Sequence, residues 1–207
     1  MKALFICLSL ALGACSLTQP RPATTWYVLE DQGGAQPASQ PLWPDALLLR
    51  ETDVHGFYQS DALAYSRTAG TRGHYQYAHL TEPPGPRIGQ LLRSRLEQSG
   101  LFTAVAPLGS GVTGGYQLNT RLLDFYHDAT QAPGEVKLLL EVELLRRSDA
   151  HRIAATRIEV HAPAPSFDAR GAAQGANSAL TQALDRITAW LTRVGAELSA
   201  SQKQEAR

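Results

Sequence analysis

Three segments in the second half of the chain alternate apolar and polar side chains, which is the pattern of strands with one buried face. They are residues 116–126, 136–144 and 152–161. In the second segment, Lys137, Glu141 and Glu143 lie on the face opposite to Val136, Leu138, Leu140, Val142 and Leu144. Alternation of this kind is typical of antiparallel strands that are covered on one side only.

Shorter apolar stretches earlier in the chain predict further strands. They are residues 46–52, 63–68, 74–79 and 102–106. Residues 69–73 contain two glycines between the second and third of these stretches, and such a segment favours a tight hairpin turn.

Two segments have helical spacing of their apolar residues. The first starts at Pro83-Pro84-Gly85-Pro86 and runs to about Ser99; its stripe is Ile88, Leu91, Leu92 and Leu96, and Gly100 supplies a stop signal. In residues 168–199 the stripe is Leu180, Leu184, Ile187, Leu191, Val194 and Leu198, with Trp190 beside it. This second stripe either covers a sheet or forms a coiled coil with another subunit, and we favour the sheet.

These elements follow one another in the order β-β-β-α-β-β-β-β-α. The order predicts a single α+β domain, with a mostly antiparallel or mixed β-sheet and two helices packed on one face.

The segment before the first predicted strand has the composition of a linker. Residues 16–45 contain five prolines and a Gly33-Gly34 pair. Within them, residues 26–29 are four consecutive β-prone side chains, which predict a strand added to the folded body. The expected divisions of the mature chain are a lipidated N-terminus and tether at 15–45, a domain at 46–200 and a disordered tail at 201–207. The candidate partner or strand-addition contacts are Trp26, Tyr27 and Leu29.

The N-terminus has the features of a secretory signal. Lys2 supplies a positive start, and a short apolar run follows up to Leu12. The run is about ten residues, whereas a spanning helix needs about twenty. The residues Leu12-Gly13-Ala14-Cys15 resemble the lipobox of bacterial lipoproteins. That resemblance implies removal of residues 1–14 and acylation of Cys15, and the absence of Asp at position 16 favours the outer membrane.

The composition limits the classes of partner. Without Lys2 the chain keeps 18 basic and 19 acidic side chains, so its net charge is close to −1. It contains no basic block of the kind that binds nucleic acid. The other cysteine, Cys7, is removed with the signal, so we expect no disulfide in the mature chain.

Motifs that could carry chemistry are weak. Residues 109–114 match G-x-G-x-x-G, but a strand-like segment follows them where a dinucleotide site needs a helix. The six histidines have no metal-ligand spacing on a helix, and Asp124 and Asp128 on either side of His127 are typical of a polar turn. We therefore predict a protein that is not an enzyme and that has no metal or cofactor.

Several segments in order resemble the ABC-type transport auxiliary lipoprotein family, which includes the paraquat-inducible protein C group. They are the lipobox, Trp26-Tyr27-Val28-Leu29, Tyr75-Gln76-Tyr77, Glu82-Pro83-Pro84, the Ser99–Val105 segment, Tyr116-Gln117-Leu118 and Trp190-Leu191. The resemblance implies a non-catalytic subunit anchored at the periplasmic face of the outer membrane. It also implies partners: a mammalian-cell-entry (MCE) domain protein, a permease and an ATPase of a lipid transport system. A homo-oligomer, arranged as a ring, is part of the same expectation.

Two other functions fit a lipid-anchored body. One is an accessory lipoprotein of outer-membrane assembly or of a cell-wall synthase. The other is a periplasmic hydrolase tethered by lipid, whose catalytic groups would come from distant parts of the chain.

Overall fold

The computed structural model describes residues 22–205, which form nine strands, two α-helices and one 3-10 turn (Gly56–Tyr58). The strands are β1 (Thr25–Tyr27), β2 (Leu47–Leu49), β3 (Asp53–Val54), β4 (Ala62–Ser66), β5 (Gly73–Leu80), β6 (Val105–Pro107), β7 (Tyr116–Asp128), β8 (Glu135–Arg146) and β9 (His151–Pro163). The helices are α1 (Pro84–Ser99) and α2 (Ala169–Glu205).

The long strand β7 organises the sheet. On one side it pairs antiparallel with β8 along its whole length, and β8 pairs antiparallel with β9. These are the three segments whose alternation predicted strands with one buried face. Their core-facing side chains alternate with exposed or half-buried charged ones, as in Leu138, Leu140 and Val142 against Lys137 and Glu141.

The other side of β7 pairs with three short strands in succession, all parallel to it. Strands β2, β3 and β4 lie beside its beginning, middle and end, respectively. Strand β6 then pairs with β2, whereas β5 pairs with β4 and β1 with β5. The sheet therefore forks beyond β7. It is mixed, because its two longest ladders are antiparallel and its parallel pairings are short.

The predicted strand 46–52 is shorter in the structure, because β2 ends at Leu49 and the next strand, β3, begins at Asp53, beyond the predicted range. From Leu49 to Asp53 the chain advances four residues, while the partner strand advances three, from Leu118 to Arg121. The extra residue interrupts the ladder, as in a β-bulge. Strand β3 follows this interruption and extends the pairing to Val54.

Both helices pack into one core with the sheet. Helix α1 packs against β6 and α2, and α2 packs against β7, β8 and β9. The α2 stripe is buried within its own chain from Leu180 to Val194, while Leu198 is 36% exposed. Because this stripe already contacts the sheet, it is not available as a coiled-coil seam. The prediction of an α+β domain with two helices on a mixed sheet is confirmed.

Two details at the ends of the helices follow from local sequence. Gly100 ends α1 with φ of 62°, a left-handed conformation that glycine adopts without strain. Helix α2 continues to Glu205, past residue 200, where we expected a disordered tail. Residues 199–205 contain neither proline nor glycine, so no stop signal ends the helix at 200. No helix within residues 22–205 is both long and apolar enough to cross a bilayer.

Strand β8 offers a direct test of which face of the sheet carries the stability. Leu140 is fully buried, whereas its neighbour Leu139 points to the opposite, half-buried face. We expect Leu140→Ala to lower the free energy of unfolding by about 2–5 kcal/mol, because it leaves a cavity in the core. Leu139→Ala is the matched control and should cost less than about 1 kcal/mol. Urea unfolding curves measure both, and equal costs would contradict the assignment of faces.

Candidate docking surfaces

The segment between β1 and β2 lies along the two helices, although its proline and glycine content predicted a tether through residue 45. Its backbone amides donate hydrogen bonds at three points: Glu30 to the Asn177 side chain (3.0 Å), Gln32 to the Thr181 hydroxyl (2.9 Å) and Ala38 to the Ser99 carbonyl (2.8 Å). Side chains of α2 thus satisfy polar backbone that would otherwise need water. This is why a polar, proline-rich segment can pack here.

A buried arginine fixes this segment to both helices. Arg95 on α1 is 2% exposed, and it donates two hydrogen bonds to Asp31, from Nε at 2.9 Å and from Nη2 at 2.5 Å. Its Nη1 donates to Asp185 on α2. Burial alone would lower the pKa of Arg95, but the hydrogen bonds to the two carboxylates outweigh this effect and raise the pKa. Gly33 packs so close to the guanidinium that a Cβ would not fit. We call residues 29–43 and this arginine the clasp.

The far end of the clasp is held by aromatic packing. The amides of Leu42 and Trp43 both donate to the Leu101 carbonyl. The Trp43 ring stacks on Phe102, with ring centroids 5.3 Å apart, and meets Tyr116 edge-on at 4.9 Å. Trp43 is 2% exposed, so the segment ends inside the core.

The predicted strand at 26–29 is present as β1, at one edge of the sheet. Trp26 is 55% exposed and packs beside His79, with ring centroids 5.0 Å apart, and Val28 is 46% exposed. Of the three predicted contact residues, Trp26 is the one that offers a large surface. Tyr27 is half-buried against the core, and Leu29 is 2% exposed, because alternate residues point inward.

A polar groove of about 1110 Å³ opens over the other part of the sheet. Its charged and amide lining is Arg50, Glu51, Asp53, Gln59, Asn119, Arg121, Glu141, Glu143, Arg152 and Arg157. Most of these charges are paired, as in Arg121 with Asp53 (2.8 Å) and Arg157 with Glu141 (2.6 Å). The groove therefore presents mixed, neutralised charge, which suits contact with a polar surface.

The residues singled out for chemistry around His127 have separate partners and do not interact with one another. Asp124 accepts a hydrogen bond from the Tyr58 hydroxyl (2.8 Å), and Asp128 pairs with Lys137 (2.7 Å). His127 points into the core, where its ring bonds to the Tyr75 hydroxyl at 2.8 Å. All three belong to β7 itself and not to a turn. Residues 109–114 form a loop, and the strand β7 follows it.

The resolved pKa shifts do not produce a group poised near neutral pH. Burial raises the pKa of Tyr58 and of Tyr75 to about 12. Burial also raises the pKa of Asp128, but hydrogen bonds from Lys137 and Thr130 outweigh it and hold the value at about 2. Catalytic acids and bases usually have pKa values moved toward the working pH. Between residues 22 and 205 no group of three or more His, Cys, Asp or Glu side chains is placed to hold a metal ion.

The family model described as the ABC-type transport auxiliary lipoprotein component matches residues 27–188. The chain belongs to this family. The match begins inside β1 and includes the whole clasp, both branches of the sheet and most of α2. The boundary that we predicted at residue 46 therefore lies inside the matched region. Cys15 lies outside the described residues, so acylation there stays a prediction.

Solved structures share the fold of this family member. A crystal structure of a Xanthomonas campestris protein assigned to the family DUF330 is 23% identical and covers 85% of this chain and 99% of its own, with a TM-score of 0.76. The structure of an uncharacterized protein is 10% identical and covers 82% of this chain and 99% of its own, with a TM-score of 0.64. A search of curated proteins finds no match.

Asp31 provides a test of the clasp. We expect Asp31→Ala to lower the free energy of unfolding by about 3–5 kcal/mol, because it leaves the Arg95 guanidinium buried with one partner. Amide hydrogen exchange should accelerate at Gln32 and Gly33. The control is Asp53→Ala, which breaks an exposed ion pair with Arg121 and should cost at most about 1 kcal/mol. If the two variants unfold at the same urea concentration, the clasp does not carry the stability assigned to it.

Proposed function

We propose that this protein is a non-catalytic docking subunit of an MCE/ABC-type lipid transport system. In this proposal acyl chains on Cys15 hold it at the periplasmic face of the outer membrane. The body docks the end of a periplasm-spanning MCE-domain protein, whose permease and ATPase lie in the inner membrane. Several copies act together as a ring around that end.

The observation that carries this proposal is the exposed edge of β1. The outer side of β1 pairs with no other strand among residues 22–205, so its backbone N–H and C=O groups can accept an added strand. Trp26 stands beside that edge with more than half of its surface exposed. Large exposed aromatics of this kind often carry much of the binding energy at protein interfaces.

The clasp supports the same proposal by limiting the tether. Because residues 29–43 are bound to the helices and β1 is in the sheet, at most the residues between Cys15 and Thr25 separate the predicted anchor from the folded body. Ten flexible residues have an end-to-end distance of about 18 Å. A body on so short a tether is a fixed platform at the membrane surface, as a docking subunit requires.

The anchor is tested in the native host with two cysteine variants. Cys15→Ala should leave the protein without acyl chains and release it from the membrane fraction, because two or three chains are needed for a stable anchor. Cys7→Ala is the control, since that residue lies in the predicted signal and its loss should leave acylation intact. Mass spectrometry of the mature N-terminal peptide shows whether each variant carries the mass of the acyl chains. A Cys15→Ala protein that stays in the membrane fraction after a salt wash would rule the anchor out.

The docking edge is tested by capture of the MCE protein from its native host. We expect Trp26→Ser to weaken binding of the MCE-domain protein about 30-fold, as for loss of an interface hot spot. Val112→Ser changes another exposed apolar residue, in the loop after β6, and should leave the affinity unchanged. Both variants should unfold at the wild-type temperature, because neither side chain belongs to the core. Equal affinity of the Trp26→Ser and wild-type proteins would refute docking at β1.

A further inference from the structure

Three connections of the fold meet at one end of the molecule. They are the β4–β5 turn (67–72), the β7–β8 loop (129–134) and the β9–α2 connection (164–168). Backbone hydrogen bonds join them to one another and to the strand ends: the Ala129 amide donates to the Ser66 carbonyl (2.7 Å), and the Ala164 amide to the Gly134 carbonyl (3.0 Å). We call this the hairpin end.

The N-terminal chain reaches β1 from the side of the hairpin end. Strand β5 begins at that end, where Gly73 pairs with Tyr65, and β1 runs parallel to β5. The chain therefore runs through β1 away from the hairpin end. Residues 22–24 therefore lie on the side of β1 that faces the three connections, and the predicted anchor, Cys15, comes seven residues before Pro22 in the sequence.

An exposed aromatic lies at this end. Phe167 is 45% exposed and meets the His127 ring edge-on, with ring centroids 6.2 Å apart. The His127 ring forms a hydrogen bond with the Tyr75 hydroxyl. Tyr75 lies on β5, three residues before Ala78, and Ala78 pairs with Thr25 of β1. A continuous set of contacts thus connects Phe167 with the strand beside β1.

Two arginines belong to the segments that form this end. Arg67 follows β4, and Arg170 lies in the first turn of α2. Both are exposed, and within residues 22–205 neither forms an ion pair. An aromatic ring with nearby cations is a combination that favours the interface between lipid headgroups and acyl chains.

We propose that the hairpin end rests on the bilayer, with Phe167 in the headgroup region and Arg67 and Arg170 beside lipid phosphates. This inference rests on the proposed acylation of Cys15. Seven residue steps separate Cys15 from Pro22, which is about 25 Å when fully extended and about 15 Å for a flexible chain. A folded partner about 30 Å across does not fit into a gap of that size, so a lipid surface is the occupant that the tether allows.

The orientation is measured on the lipidated protein in vesicles of phosphatidylethanolamine and phosphatidylglycerol that contain a nitroxide-labelled lipid. In the mature chain an introduced cysteine is the one free thiol, because Cys15 carries lipid and Cys7 is removed. An environment-sensitive fluorophore is placed on Phe167→Cys and, as control, on Ser148→Cys. Ser148 lies in the exposed turn between β8 and β9, about 40 Å away along β8.

We expect the fluorophore at position 167 to shift to shorter wavelength and to be quenched several-fold more strongly than the one at position 148. Ala69→Cys, in the exposed β4–β5 turn, gives a second reading at the hairpin end if the Phe167 variant does not fold. Equal quenching at 148 and at the hairpin-end position, in protein that floats with the vesicles, would overturn the orientation and leave the anchor standing. If the wild-type protein does not float with the vesicles, both the proposed anchor and the proposed orientation are wrong.

Discussion

The guanidinium of Arg95 is the group on which the arrangement of the chain around the two helices depends. It lies in a nearly dry position, where a cation is costly unless its hydrogen bonds are made to carboxylates. Asp31 comes from the clasp and Asp185 from α2, so one side chain on α1 ties three parts of the chain together. Because removing either carboxylate leaves a buried charge short of partners, the clasp and the packing of the helices are energetically coupled.

This coupling determines what the N-terminal region can do. A free linker of residues 16–45 would let the body move several nanometres from its anchor. In the structure, Trp43 is buried at one end of the clasp and β1 lies in the sheet at the other. The residues between them are therefore bound to the body and add no length to the linker. The edge strand with Trp26 and the hairpin end with Phe167 thereby take defined positions relative to the point where the chain leaves the body.

One face of the sheet provides the core, and the other face and the edges are available for contact with partners. The side of β8 that carries Leu138, Leu140 and Val142 is covered by α2 and provides the core. The opposite side carries paired charges, such as Arg157 with Glu141, over the polar groove. Such pairs add little stability at the surface, but they keep a broad, uncovered sheet face in water without exposing apolar area. Contact with partners is thus left to the groove, the β1 edge and the loops.

The sequence by itself determined the elements whose patterns are local. Alternation along β8 and the stripe from Leu180 to Val194 each indicate which side of the element faces the core. Gly100 indicates the end of a helix from the local sequence alone. Only the tertiary structure decided that Arg95 is buried, since in the sequence of α1 nothing distinguishes it from the half-buried Arg93, and its partners lie 64 and 90 positions away. The tertiary structure also decided that three short strands pair parallel with β7, and that Trp26 is exposed whereas Leu29 is buried. Pairings between distant segments leave no periodic trace in either segment, because the free energy that selects them arises only when the two are brought together.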